Sequence, residues 1–429
     1  MNLAKELINE GHNKVNLVVA VREPMQGLAK ILAIGAGYNK VPEYEALPKE
    51  VKKLYPGDKK LRNVNLFFNE YLGELSYECL HEKVTQEGYL DWNETLKVIS
   101  ETPQKLEKAR RYWEERVNKG MLVVKDVYNK KREINLPRIV ISAGHPIATA
   151  GYLPLRNDFF TIFIYATNFL WSETVKTTSH MYDSYRNISP DIMKKVEKSI
   201  RIMESSIALY DLHIMPALSV RDHVEKIQTL SRKEVYIVGY FANPPKKLDN
   251  KTKKSFGIDP EKPTITISVG RTGVGVEVIK FLAPYLSERY NVVLPSGMKI
   301  DGCVTMPSYY PNMGDFLLFS MLGVIRGGMG TVYESLRAET PPYFLRIVGD
   351  HSEIRRNEEE LFFRGVAWIG DLTRHTPKEI SEDIVKTIEE NRVEYMKKEV
   401  RKLNEMVKQL YGLNGFEQAA KIIVEKFNF

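Results

Sequence analysis

Apolar and polar positions along this chain follow two rhythms. Short apolar runs, rich in β-branched and aromatic residues, are separated by stretches whose apolar positions recur at helical spacing. Lys14–Val21 (KVNLVVAV), Arg138–Ala143 (RIVISA), Phe159–Tyr165 (FFTIFIY), Ile207–Leu218 (IALYDLHIMPAL) and Glu234–Gly239 (EVYIVG) read as buried strands. Such continuous apolar runs suit strands covered on both faces. The pattern restarts with Thr264–Val269 (TITISV), followed by Gly270–Gly275 and a helix through Ser287, then strands at Tyr290–Leu294, Ser320–Ile325 and Pro342–Ile347. Thr376-Pro377-x-Glu379 marks a helix start, with a cap, a proline at the first position and a matching acid. Residues 378–429 read as almost wholly helical, and residues 40–130 as long, charged and helix-rich.

Between the two series lies NPPKKLDNKTKKSFGIDPEKP (Asn243–Pro263), a polar stretch rich in Pro, Lys and Asn. It is the best linker in the chain. The expected organisation is an N-terminal domain over 1–243 with a helical insert at about 40–130, a linker over 244–262, a second domain over 263–410, and a closing helix over 411–429 that packs back on the first domain. Alternation of strand and helix on both sides of a linker predicts an α/β protein of two doubly wound, Rossmann-like domains facing a cleft. Ligands of such sheets bind beyond the carboxyl ends of the strands.

The richest segment is Ile325–Glu334 (IRGGMGTVYE), which follows the apolar run DFLLFSMLGVI (Asp315–Ile325). A strand that ends in glycines and turns at once into a helix brings free backbone N–H groups and a positive helix end together, which suits a phosphate or another anion. A structural account competes with this one. Thr331 as the N-cap with Glu334 three positions on is a capping box, and capping alone explains both residues.

The chain has 429 residues, is 43% hydrophobic and 27% charged, and contains two cysteines, Cys79 and Cys303. This composition suits a soluble protein with a sizeable core and implies neither a disulfide framework nor a four-cysteine metal site. The N-terminal residues lack a signal-peptide core. The expected location is cytoplasmic. The net charge is +7, and residues 101–150 hold 11 basic against 6 acidic residues. There KLEKARRYWEERVNK (Lys105–Lys119) mixes cations with Tyr112 and Trp113. Such a face suits an anionic membrane, at the inner face of the cell, or nucleic acid; a solvated helix with i,i+4 charge pairs is the preferred account. No nucleic-acid-binding signature accompanies the charge.

Three motifs in the second half carry a resemblance. ISVGRTGVG (Ile267–Gly275) looks like a glycine-rich turn after a domain's first strand. RGGMGTVYES (Arg326–Ser335) resembles an R/H-x-G-x-x-T-x-x-E signature, and GDHSEIRRNEEELFFRGVA (Gly349–Ala367) an H-x-E-Q-x-x-N-A…G signature. In this order and spacing they resemble the donor-sugar domain of GT-B glycosyltransferases, especially the inverting N-acetylglucosaminyltransferases that make the lipid-linked peptidoglycan precursor. The resemblance implies a UDP-sugar donor and no further cofactor or metal. It implies that Glu334 binds the ribose hydroxyls, and that Gly270, Thr272 and Gly273 lie under the diphosphate with Arg326 or Arg271 adding charge. Gly328, Gly330 and Thr331 would complete the anion site, and Glu353 and Asn357 would touch the sugar or hold the loop in shape. The loop Met306–Asn312 (MPSYYPN) would face the base. Ile354 stands where Gln is usual and Glu358 where Ala is usual, which leaves the sugar open. Retaining members of the fold often carry a Glu eight positions before the ribose acid; here that position is Arg326, which favours inversion.

An inverting transfer needs a general base on the acceptor side. The family's glycine–histidine loop after the first strand is replaced by REPMQG, whose one acid is Glu23. His145, in a Gly-His-Pro turn after a strand, is the preferred base because imidazole titrates near neutral pH. The acceptor is expected to be lipid-linked or a small molecule. The alternatives are a sugar-nucleotide epimerase of the same fold, and a non-catalytic protein that binds a nucleotide sugar but has lost its base.

Overall fold

A computed structural model describes the chain except residues 21–22, 81–82, 84, 87–88, 144–159, 166–187, 219–220, 271–272, 351 and 429, and, for their side chains, 23–24, 76–80, 143 and 221–222. Three sheets form its frame. The first contains β1 (Val15–Val19), β2 (Val64–Phe68), β3 (Met121–Asp126) and β4 (Lys131–Asn135), in that order. β1 and β2 run parallel; β2, β3 and β4 are antiparallel neighbours. The second is wholly parallel, with β5 (Ile139–Ala143), β6 (Phe160–Ile164), β7 (Leu212–Pro216) and β8 (Val235–Val238) in sequence.

The third sheet holds six parallel strands in the order β11-β10-β9-β12-β13-β14. They are β9 (Thr264–Ser268), β10 (Asn291–Leu294), β11 (Val304–Thr305), β12 (Leu322–Ile325), β13 (Pro342–Arg346) and β14 (Trp368–Asp371). β9, β10 and β12 are buried at every position. Helices on both faces leave no solvated side, so these strands read as unbroken apolar or β-branched runs rather than as alternation.

Several elements differ from the sequence reading. The stretch 40–130 is rich in helices and also contributes β2 and β3 to the first sheet. Ile207 ends a helix that begins at Pro190, and the strand expected there is confined to β7. Helical burial of Val196, Ile200, Met203 and Ile207 decides that boundary. β11, of two residues, is too short to stand out in the pattern, and β14 is not among the strands read from it. The polar stretch 243–263 is not an open tether. It holds a helix, Asn250–Ser255, capped by Asp249, and buries Leu248 and Ile258. The start at Thr376 is a complete capping box with Pro377 behind it.

The basic helix Thr102–Lys119 settles on the account that pairs its charges. Arg110 meets Glu114, Arg111 meets Glu107 and Lys119 meets Glu115, all at i,i+4 spacing. Trp113 is buried, and the Tyr112 hydroxyl accepts a hydrogen bond from Asn69. The aromatics therefore do not face outward, and the observation that suggested a membrane surface is gone. No helix among the described residues is long and apolar enough to cross a membrane.

Contacts at either end join the halves. The last helix, Gly415–Phe427, lies on the second sheet: Phe427 stacks on Phe160 at 4.0 Å, and Gln418 accepts from the Gly239 N–H at 2.8 Å. At the other end, Asp315 is completely buried. Its Oδ2 accepts from the hydroxyls of Tyr55 (2.5 Å) and Tyr310 (2.8 Å), and its Oδ1 from the Lys246 N–H (2.7 Å) and Asn312 Nδ2 (3.0 Å). First half, linker and second half meet on one carboxylate.

Asp315→Ala should leave two buried hydroxyls and a backbone N–H without their acceptor, and cost about 3–5 kcal/mol, read as a fall in the thermal midpoint. Burial also holds the imidazoles of His213 and His223 down to about 4 from the usual 6.5. The unfolded chain takes up these protons first as pH falls. The stability linked to them is present above pH 6.5 and lost towards about pH 4. His213→Gln should shrink the drop in urea midpoint between those two pH values.

Candidate active site

In the third sheet the chain leaves β9 towards β10 on one side, and returns to β9's other side as β12. The order therefore reverses between β9 and β12, and the crevice beyond their carboxyl ends is where an open parallel sheet binds ligands. Both glycine turns open there. Val269–Gly275 follows β9, and Arg326–Gly330 follows β12. The Arg326 N–H donates to the Ser268 carbonyl at 3.3 Å, which joins the two turns at their base.

The glycines fall into two groups. At Gly275 (φ +85°) a Cβ would stand 2.2 Å from Ile347 Cδ1, and at Gly327 it would stand 2.7 Å from both Glu358 Cγ and the Ile354 carbonyl. These two are required by packing. At Gly328 and Gly330 a Cβ would meet nothing within 4 Å, and neither residue has a positive φ. Among the described residues, neither packing nor backbone conformation demands glycine at either position. Gly270 and Gly273 face open space too, although both hold positive φ.

The helix after the second turn runs Met329–Arg337 with Gly328 as its N-cap, and no side chain caps it. Thr331 is thus not the N-cap but the third helical residue, and Glu334 lies a full turn further in than a capping box allows. The extended backbone of Gly328 (φ −72°, ψ 125°) starts the helix three residues early. Capping no longer explains either residue. The helix Val276–Ser287 after the first turn also lacks a side-chain cap. Two helix ends that no side chain caps among the described residues therefore open at one crevice.

Side chains behind the second turn fix its shape. Asn357 Nδ2 donates to the Gly327 carbonyl at 3.1 Å. Arg326 is buried and donates from Nε (2.8 Å) to Asp350 Oδ1, whose Oδ2 accepts the Ile347 N–H. Beside it Glu358, fully buried, accepts from Arg346 Nε at 3.0 Å. Asp350, Arg346 and Glu358 were not legible as site residues, because nothing in a sequence marks an acid as buried. The substitution at Glu358 within the third motif was the one signal.

The first half closes over this edge. Trp92 Nε1 donates to the Gly349 carbonyl at 3.0 Å, and the Tyr333 hydroxyl to the Ala217 carbonyl at 3.1 Å. His223 feels the charge of Arg356 across the cleft. Glu334 is half-buried, and its charge adds to those that push the Tyr55 hydroxyl upward. Glu353 is half-buried at the start of the helix Ser352–Phe363. In the loop 306–312, Met306 and Tyr310 sink into a core shared with Ile34, Tyr55 and Phe68, while Tyr309 stays exposed at φ +63°. His145, Arg271 and Thr272 lie outside the described residues. Glu23 begins the helix Glu23–Gly35 after β1, and its side chain also lies outside them.

No protein-family model matches the chain, and no curated protein matches it in sequence. Solved structures match its shape over nearly its whole length. The calicheamicin glycosyltransferase gives a TM-score of 0.55 at 13% identity, covering 100% of this chain and 94% of that one. UGT2 of Phytolacca americana, solved with UDP-2-fluoro-glucose and pterostilbene, gives 0.57 at 14% identity, covering 100% and 96%. A Streptomyces sp. SF2575 glycosyltransferase gives 0.51 at 12% identity, covering 98% and 94%. The fold is GT-B. At these identities the likeness establishes architecture, and the two glycine turns occupy the switch point of the second GT-B domain.

The two groups of glycines should part on substitution. Gly275→Ala, which adds strain at positive φ and a clash with Ile347, should destabilise by about 1–3 kcal/mol. Gly328→Ala, at an N-cap where alanine is the poorer residue, should lower the thermal midpoint by only about 2–4 °C and still weaken binding of a nucleoside diphosphate in calorimetry.

Proposed function

We propose that this protein is a glycosyltransferase that moves a sugar from a UDP-sugar to an acceptor hydroxyl with inversion. The observation that carries the reading is the meeting of two glycine turns and two uncapped helix ends at one switch point, with glycines at Gly328 and Gly330 that neither backbone nor packing requires. The neighbour solved with UDP-2-fluoro-glucose supports the same ligand class.

In this reading the diphosphate lies across both turns, against Gly270, Gly273, Gly328, Gly330 and Thr331, with Arg271 and Thr272 completing the first turn. Glu334 takes both ribose hydroxyls, since a carboxylate has two acceptor oxygens. Glu353 reaches the sugar, while Asn357 and Arg326 hold the second turn in shape. His145, or Glu23 in its place, removes the proton from the acceptor hydroxyl as its oxygen attacks the anomeric carbon. The bond to the diphosphate breaks in the same displacement. Backbone N–H groups and helix ends stabilise the charge that develops on the departing phosphate, so the step does not require a metal. The transferred group is a hexose or N-acetylhexosamine, and the acceptor is lipid-linked or a small molecule.

Calorimetric titration with UDP, GDP, ADP and dTDP tests the donor site. UDP should bind in preference to the others and raise the melting point. Glu334→Ala should weaken UDP about a hundredfold, the worth of two hydrogen bonds to a charged group. Failure of all four nucleotides to bind at millimolar concentration would refute the reading.

A further inference from the structure

Beneath the second glycine turn lies a group of buried charges that the donor-site reading leaves unused. Glu358 is wholly buried on the helix Ser352–Phe363. Its Oε2 is engaged by Arg346, but its Oε1 is buried and has no hydrogen-bond partner among the described residues. That oxygen lies directly under the turn, 3.2 Å from where a Cβ on Gly327 would stand. The charged groups around it come from three further elements. Arg326 stands at the end of β12, Arg346 at the end of β13, and Asp350 in the loop after β13. On Glu358's own helix, half-exposed Glu359 meets Arg346 at 3.1 Å.

We propose that Glu358 is a positioning residue of this site, whose side chain sets the charge of the floor beneath the Gly327–Gly330 turn and with it the turn's hold on a nucleoside diphosphate. The proposal rests on the donor-site reading above. A buried carboxyl with an unused oxygen is poorly compensated as an anion. Burial, and next the charge of Asp350, push Glu358 up to about 8 against the pull of the two arginines. Below that pH the side chain keeps its proton. The two arginines then outnumber the one buried anion, Asp350, and the floor favours an anionic ligand. Above it, Glu358 ionises and places a negative charge behind the turn where the diphosphate rests. In a water-poor site a single charge at this range changes affinity severalfold.

The test is calorimetric titration of the full chain with UDP at about pH 7 and about pH 8.8, both above the second phosphate ionisation at about 6. The dissociation constant of the wild type should rise about fivefold between them. Glu358→Gln keeps the shape and the acceptor for Arg346 but cannot ionise, and its constant should change less than about twofold. Glu358→Ala, which cannot ionise either, serves as a second variant and should be equally flat. An equal rise in wild type and variants would belong to the nucleotide and would overturn the proposal, as would a flat wild-type profile. Absence of UDP binding at either pH would instead refute the donor site, and this inference with it.

Discussion

The carboxylate of Asp315 is the joint on which this molecule is assembled. It gathers a tyrosine from the first half, the linker backbone, and a tyrosine and an asparagine from the loop after β11, all away from water. Burying an acid is costly, and its carboxyl is pushed up to about 6 by that burial. Four donors offset the cost, and Lys246 Nζ over the Tyr55 ring at 3.7 Å adds a nearby positive charge. Removing the carboxylate leaves all four donors without it at once, whereas losing one donor leaves three in place. It is one of several contacts that hold the two halves against each other.

The helix Met329–Arg337 transmits that geometry to the site. Its N-terminus opens on the crevice between β9 and β12, while its flanks reach the first half through Tyr333 and the linker region through Arg337, which donates to the Ala242 carbonyl at 2.5 Å. Tyr333 and Tyr240 stack at 5.3 Å behind it. One nine-residue helix thus carries the end that opens on the crevice, the half-buried Glu334 and two contacts to the rest of the chain. Its lack of a side-chain cap is consistent with this. Where the chain needs only to start a helix, as at Thr376, it supplies a complete capping box; at the crevice no side chain among the described residues caps the helix.

The order of elements in the second half was legible because parallel strands covered on both faces leave unbroken apolar runs, and because glycine and proline punctuate them. The first half was less so. β2 lies between charged helices, and β7 follows a helix whose buried face runs into the same apolar stretch, so periodicity misplaces the boundary. The Lys105–Lys119 segment shows the limit of reading charge alone. Its cations and aromatics looked like a surface for a partner, yet the cations pair along the helix and Trp113 turns into the core.

By itself the sequence determined the alternation of strands and helices, the position of the glycine turns, and the candidates that follow from short-range spacing, because these depend on neighbours along the chain. Only the tertiary structure decided that both turns meet at one switch point, that Thr331 and Glu334 are free of a capping role, and that Gly327 is tight against protein while Gly328 and Gly330 face open space. It alone paired Arg326 with Asp350 and set Glu358 beneath the turn. These are contacts between residues far apart in sequence. Burial, which makes a charge matter, is a property of the packed whole and leaves no mark on the residue that bears it.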